Sequence, residues 1–150
     1  MKVLTVGTFD ILHRGHIELF RKCKDFAFSG VMSYPSENEF VVGLNSDEFI
    51  VKYKGKPPIM DYKERKKAIE SLGFCDVVIG NNQDDGSIKD LIEFQGTEVV
   101  VIGTDWHRKD YLAQIGLTEE YLEEKGISLI YVPYTQGIST TEIKRRISEN

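Results

Sequence analysis

Apolar residues along this chain fall into short bursts, and between the bursts they recur at helical spacing. Val3, Leu4 and Val6 make the first burst, a run that reads as a strand. From His16 the pattern changes: Ile17, Phe20, Cys23 and Ala27 stand three and four apart, which predicts a helix over 16–28. Four more bursts, at 40–44, 76–79, 98–102 and 128–132, read as further strands. Helices are expected over 61–73, where Asp61 caps and Gly73 closes, over 88–94, over 118–125 and after Ser139. Ser46 is placed to cap one short turn through Asp47, Glu48 and Phe49. Two stretches break the pattern. The polar segment 29–39 is longer than a simple connection needs and can border a site or a subunit contact. In VKYKGKPPIM, at 51–60, Gly55, Pro57 and Pro58 predict an ordered loop without helix. Strands this apolar, alternating with helices, predict a parallel five-stranded sheet with helices on both faces, a single Rossmann-like α/β domain over 1–150.

Composition narrows the classes. A chain of 150 residues that is 41% hydrophobic and 29% charged can bury a real core as one domain. Its net charge of −5 argues against a general nucleic-acid binder or a membrane-surface protein. No apolar run approaches the length of a membrane span, and the start lacks a signal-peptide layout. Cys23 and Cys75 are far apart in apolar settings, which reads as two reduced core thiols of a cytoplasmic protein.

The chemistry concentrates at residues 7–16, GTFDILHRGH, where the first strand hands over to the first helix. A helix start offers unpaired N–H groups and the positive end of a dipole, so it attracts anions. Gly15 removes a side chain that would keep a ligand off the backbone, and His13 and His16 can donate to a phosphate. The same spacing with Asp10 also suits a metal, and a loop histidine can be merely solvated. Lys52, Lys54 and Lys56 form a local positive cluster that is either a solvated loop or a clamp. Arg65 falls on the inward side of its helix, so either a carboxylate pairs it or it faces a pocket. GTDWHRKDY leaves the fourth strand at the carboxyl edge, carrying Gly103, Asp105 and Trp106, with His107 read as a bystander. Ser139 with Glu142 makes a capping box, and Ser139, Thr140 and Thr141 also line up hydroxyls at a second helix start. Two such seats on one sheet suit a polyphosphate.

These residues resemble a known signature. G-T-F-D-x-L-H-x-G-H is similar to that of the HxGH nucleotidyltransferases, and Gly137-Ile138-Ser139-Thr140-Thr141-x-Ile143, with Arg146 beyond, resembles the second signature of the cytidylyltransferases, R-T-E-G-I-S-T-[ST]. KGKPP followed by Glu64-Arg65 is similar to the choline- and ethanolamine-phosphate enzymes, and GTDW to the G-x-D-W of the bacterial glycerol-3-phosphate cytidylyltransferases. The resemblance implies a nucleotidyltransferase domain that joins the NMP of CTP to a small phosphomonoester, glycerol 3-phosphate first, and releases pyrophosphate. It implies Mg²⁺ with the triphosphate and a homodimer, while the charge and the apolar pattern above argue for neither nucleic acid nor membrane as partner. By position, His13 and His16 would hold the α-phosphate, and Gly7, Thr8, Phe9, Asp10 and Gly15 would line the nucleotide site. Gly103, Asp105 and Trp106 would stand beside the nucleoside. Tyr134, Thr135, Gly137, Ile138, Ser139, Thr140 and Arg146 would complete the nucleotide site, with Ser139 and Thr140 on the outer phosphates. Lys54 and Arg65 would meet the acceptor phosphate or clamp the polyphosphate.

Two departures bear on the donor and the acceptor. Tyr134 stands where the motif has arginine and Gln136 where it has glutamate, and a phenol supplies neither the charge nor the fork of a guanidinium. The long 29–39 segment is the other. An adenylyltransferase using ATP on a sugar phosphate or flavin precursor is the alternative within the class. A non-catalytic nucleotide-binding module is the alternative outside it.

Overall fold

The computed structural model describes residues 1–29, 37–82, 86–104 and 111–150. The chain alternates β1 (Lys2–Gly7), α1 (Arg14–Phe28), β2 (Glu39–Asn45), α2 (Asp47–Lys54), α3 (Tyr62–Leu72) and β3 (Val77–Asn81). It continues with α4 (Ser87–Gln95), β4 (Val99–Thr104), α5 (Tyr111–Gln114), α6 (Glu119–Lys125), β5 (Ser128–Pro133) and α7 (Thr140–Glu149). All strand pairs are parallel, in the order β3-β2-β1-β4-β5, as the apolar bursts predict. Alternate residues of β1 serve opposite cores. Val3 packs with Phe20, Cys23 and Phe40 on the face of α1 and α3, while Leu4 and Val6 pack with Leu91, Ile92 and Leu122 on the other. Cys23 and Cys75 are both free thiols, the first buried and the second half-buried. Among the described residues no helix is long and apolar enough to cross a membrane.

Strand order reverses between β1 and β4, and a doubly wound sheet binds ligands in the crevice beyond its carboxyl edge there. The ladder itself opens that crevice. β1 pairs with β2 over its full length but with β4 only at Val3↔Val99 and Leu4↔Val100. One step further the link passes to a side chain, as buried Thr5 Oγ1 donates to Val101 O at 2.8 Å.

Two local expectations are corrected and one element is added. Helix α2 runs to Lys54, so the first part of 51–60 is helical and not loop. Ser46 Oγ caps Phe49 N at 3.1 Å, Asp47 and Glu48 sit in the first turn, Lys52 and Lys54 in the last, and left-handed Gly55 ends it. The prolines come only after that stop and cannot break the helix. Helix α1 starts at Arg14, two residues early, because His13 caps it. The single turn α5 has no counterpart in the sequence reading. Residues 30–36 of the long polar segment lie outside the described residues.

Candidate active site

The turn after β1 is held under strain. Phe9 and Ile11 adopt left-handed backbone, at φ 49° and 54°, which costs a non-glycine residue about 1–2 kcal/mol each. Phe9 then lies back across Gly7, where a Cβ would stand only 2.8 Å from its Cζ, and meets the rings of His16 and Phe20 edge-on. Asp10, 6% exposed, accepts from the Ile59 and Met60 N–H groups at 2.7 and 3.0 Å, so its carboxylate ties the turn after β1 to the 59–60 segment. The Asp10 carbonyl accepts from Thr140 Oγ1 at 2.8 Å.

The two histidines cap their own helix. His13 Nδ1 accepts from Gly15 N at 3.1 Å and His16 Nδ1 accepts from His13 N at 3.3 Å, a capping box made of two imidazoles. A neutral ring that accepts at Nδ1 carries its proton on Nε2, so the backbone bonds assign the tautomer of both. The rings stack with centroids 3.8 Å apart, and both line the cavity, so one stacked pair carries two Nε2–H donors. Burial, with His13 beside it, pushes His16 down to about 3; burial and the Arg14 charge lower His13 as well. Both are therefore uncharged donors near neutral pH. Gly15 serves this arrangement differently from expectation. Its N–H goes to His13 and is not open to a ligand, and a Cβ would stand 2.9 Å from His13 Cε1.

One cavity of about 440 Å³ gathers the expected segments. Gly7, Thr8, Phe9, Asp10, His13, Gly15 and His16 line it from the β1 turn; Lys54 comes from the end of α2. Gly103 and Tyr134 come from the ends of β4 and β5, followed by Thr135, Ile138, Ser139 and Thr140. The 42%-exposed Tyr134 lies on Gly103, where a Cβ would be 3.1 Å from Tyr134 Cε1. Ser139 Oγ accepts from Glu142 N at 3.0 Å. The expected capping box is only half present, because the Glu142 carboxylate turns to Arg145 and Arg146, which hold it down to about 2.

Arg65 is corrected. Its side chain is fully buried outside the cavity, where Nη2 meets Asp47 Oδ1 at 2.6 Å and Nη1 and Nε donate to the Thr8 and Met60 carbonyls at 2.8 and 3.0 Å. Each of its three side-chain nitrogens bonds to protein, and Arg65 is not part of the cavity lining. Arg146 is likewise absent from the cavity lining, engaged with Glu142 Oε1 at 3.3 Å and the Gly137 carbonyl at 3.5 Å. Gly137 shapes the turn before α7 at φ 78° without lining the cavity. Asp105 and Trp106 lie outside the described residues.

The sequence reading missed three contributors. Lys144 lines the cavity with its ammonium 3.9 Å from Asp10 Oδ2; its spacing four after Thr140 was the available signal. Asn45, at the carboxyl end of β2, donates to Thr8 Oγ1 at 3.1 Å and accepts from Asn81 at 2.8 Å. Lys22 lies along α1 beyond Leu19. The cavity thus pairs two neutral donors with Lys54, Lys56 and Lys144, a set that suits phosphate oxygens. Of the two carboxylates in its lining, Asp10 is tied to backbone N–H groups and Glu18 pairs with Arg21, and among the described residues no three His, Cys, Asp or Glu side chains converge on a point.

A family model described as cytidylyltransferase-like matches residues 4–146. A glycerol-3-phosphate cytidylyltransferase of Staphylococcus aureus is 34% identical over 146 residues, covering 97% of this chain and 94% of that one. An FAD synthase of Pyrococcus abyssi is 31% identical, over 99% of this chain and 93% of that one. Among solved structures, a lipopolysaccharide core biosynthesis protein from Thermoplasma volcanium superposes with a TM-score of 0.63 at 24% identity, over 90% of this chain and 96% of that one, a likeness of fold.

Proposed function

We propose that this chain, which belongs to the cytidylyltransferase-like family, transfers the nucleotidyl group of CTP to a small phosphomonoester, glycerol 3-phosphate first, and releases pyrophosphate. The observation that carries the reading is the stacked pair of imidazoles, both fixed with Nδ1 to the backbone and a proton on Nε2, at the switch point of the sheet. An oxygen of the acceptor phosphate attacks the α-phosphorus, and the bond to the bridging oxygen breaks, its electron pair leaving with pyrophosphate. The non-bridging α-oxygens gain charge as this happens, and donors fixed beforehand stabilise that charge at no cost of reorganisation. The acceptor is already anionic, so no general base is needed, which fits a site whose two carboxylates, Asp10 and Glu18, are both engaged with protein donors. Lys54, Lys56 and Lys144 supply positive charge for the outer phosphates and the acceptor, and the uncharged wall of Leu19, Gly103, Val132 and Tyr134 suits a nucleoside. Mg²⁺ fits as an ion that arrives on the triphosphate, held by phosphate oxygens and water, since hard cations in such sites take few protein ligands. We extend the proposal to a homodimer, which sedimentation would test.

A second reading is favoured by Tyr134 and by the FAD synthase relative: ATP as donor. Tyr134 lies on the cavity wall against Gly103, where the cytidylyltransferase motif would place a guanidinium. Pyrophosphate release with Mg²⁺, crossing CTP and ATP against glycerol 3-phosphate and other phosphomonoesters, decides between them. Release with CTP supports the main reading, and release only with ATP moves the chain to the second. Nucleotide binding with no release across a wide acceptor panel would favour a binding module. Tyr134→Arg should tighten CTP binding on the second reading and is the control for it.

A further inference from the structure

Helix α7 carries the second phosphate seat, yet it contributes no buried side chain to either core. Its start is kept beside α1 by polar contacts. On one flank Thr140 Oγ1 donates to the Asp10 carbonyl at 2.8 Å. On the other, Arg14 Nη2 donates to the Gln136 carbonyl at 3.0 Å. The left-handed Gly137 packs against the same guanidinium, and a Cβ there would stand 3.5 Å from Nη2. Arg14 is the first residue of α1, directly after the capping histidine. The guanidinium therefore reaches from the histidine seat to the turn that begins the hydroxyl seat.

We propose that Arg14 is a positioning residue that clamps the 136–137 turn, and with it the start of α7, at the spacing from His13 and His16 that one polyphosphate requires. The inference rests on reading the cavity as a nucleoside triphosphate site and deepens it. Apolar support there is partial: half-buried Ile138 lies against Gly15, where a Cβ would stand 3.6 Å from its Cγ2, and α7 itself has no buried side chain. The same charge has a second effect on its neighbour. His13 stacks on the His16 ring, and beside burial the Arg14 charge disfavours a proton on His13.

Arg14→Met, which keeps the stem and removes the charge and the donors, tests this beside Arg14→Lys in the full chain. Without ligand, hydrogen exchange in Arg14→Met should accelerate at amides 136–143 and stay unchanged in β1 and the second half of α1. With nucleotide, KM for the triphosphate should rise about tenfold, the loss of one charge-assisted hydrogen bond, while KM for the acceptor holds. By NMR, His13 should titrate nearer its ordinary value in Arg14→Met and not in Arg14→Lys, which retains the charge. Unchanged exchange at 136–143 in Arg14→Met overturns the proposal whatever the kinetics. Accelerated exchange in a protein whose wild type binds no nucleotide keeps the clamp and fails the functional reading instead.

Discussion

At position 16 an imidazole is kept neutral by its surroundings, and that has a consequence for stability. Its folded value of about 3 lies below the ordinary 6.5, so as pH falls the unfolded chain takes up the proton first. Stability is then full above pH 6.5 and declines below it, by up to about 2 kcal/mol between pH 7 and 5 for this group. Urea midpoints at the two pH values should show the decline, and His16→Gln should flatten it while lowering turnover about 10²–10³-fold. Arg65 behaves in the opposite way. Because it serves Asp47, Thr8 and Met60 and not the cavity, Arg65→Met should cost about 3 kcal/mol of stability, and Arg65→Lys should not restore it. Thermal midpoints read against nucleotide KM would separate that from a ligand role. The inward placement of Arg65 was legible from its helical spacing. Its partner was not, since Asp47 belongs to another element and only packing brings it near.

Among the elements, the sheet and most helices were legible because apolar bursts and caps are local signals. The extent of α2 was hidden by weighing the prolines at 57 and 58 over the left-handed stop at Gly55 that precedes them. The start of α1 was hidden for a different reason. Histidine is no usual N-cap, and nothing in the spacing of His13 and His16 says that both Nδ1 atoms turn back to the chain. Gly15 lies inside that cap. Alanine there favours the helix by about 1 kcal/mol but drives a Cβ into His13. Gly15→Ala should therefore lower turnover at an unchanged or higher thermal midpoint, a split that calorimetry and kinetics on one sample would show.

For the molecule as a whole, the crevice was legible from the alternation of elements, whereas its width comes from a ladder between β1 and β4 that ends after two pairs. The cavity draws on the β1 turn, α2, the ends of β4 and β5, and α7, so an occupant joins parts of the chain that are otherwise far apart. A nucleotide at one hundred times its Kd should stabilise the fold by about 2.7 kcal/mol. A thermal shift of several degrees should accompany the productive triphosphate, and inorganic tripolyphosphate should reproduce part of it if both helix starts hold phosphate.

The imidazole capping box also sets a limit on engineering. Serine or aspartate at position 13 is the obvious repair of a poor N-cap, worth about 0.5–1 kcal/mol to α1. It would also remove one of the two Nε2–H groups. Any library selected for thermal tolerance alone should drift toward that repair and accumulate well-folded, inert proteins. On the proposed reading, durability and turnover would be traded against each other at a single side chain.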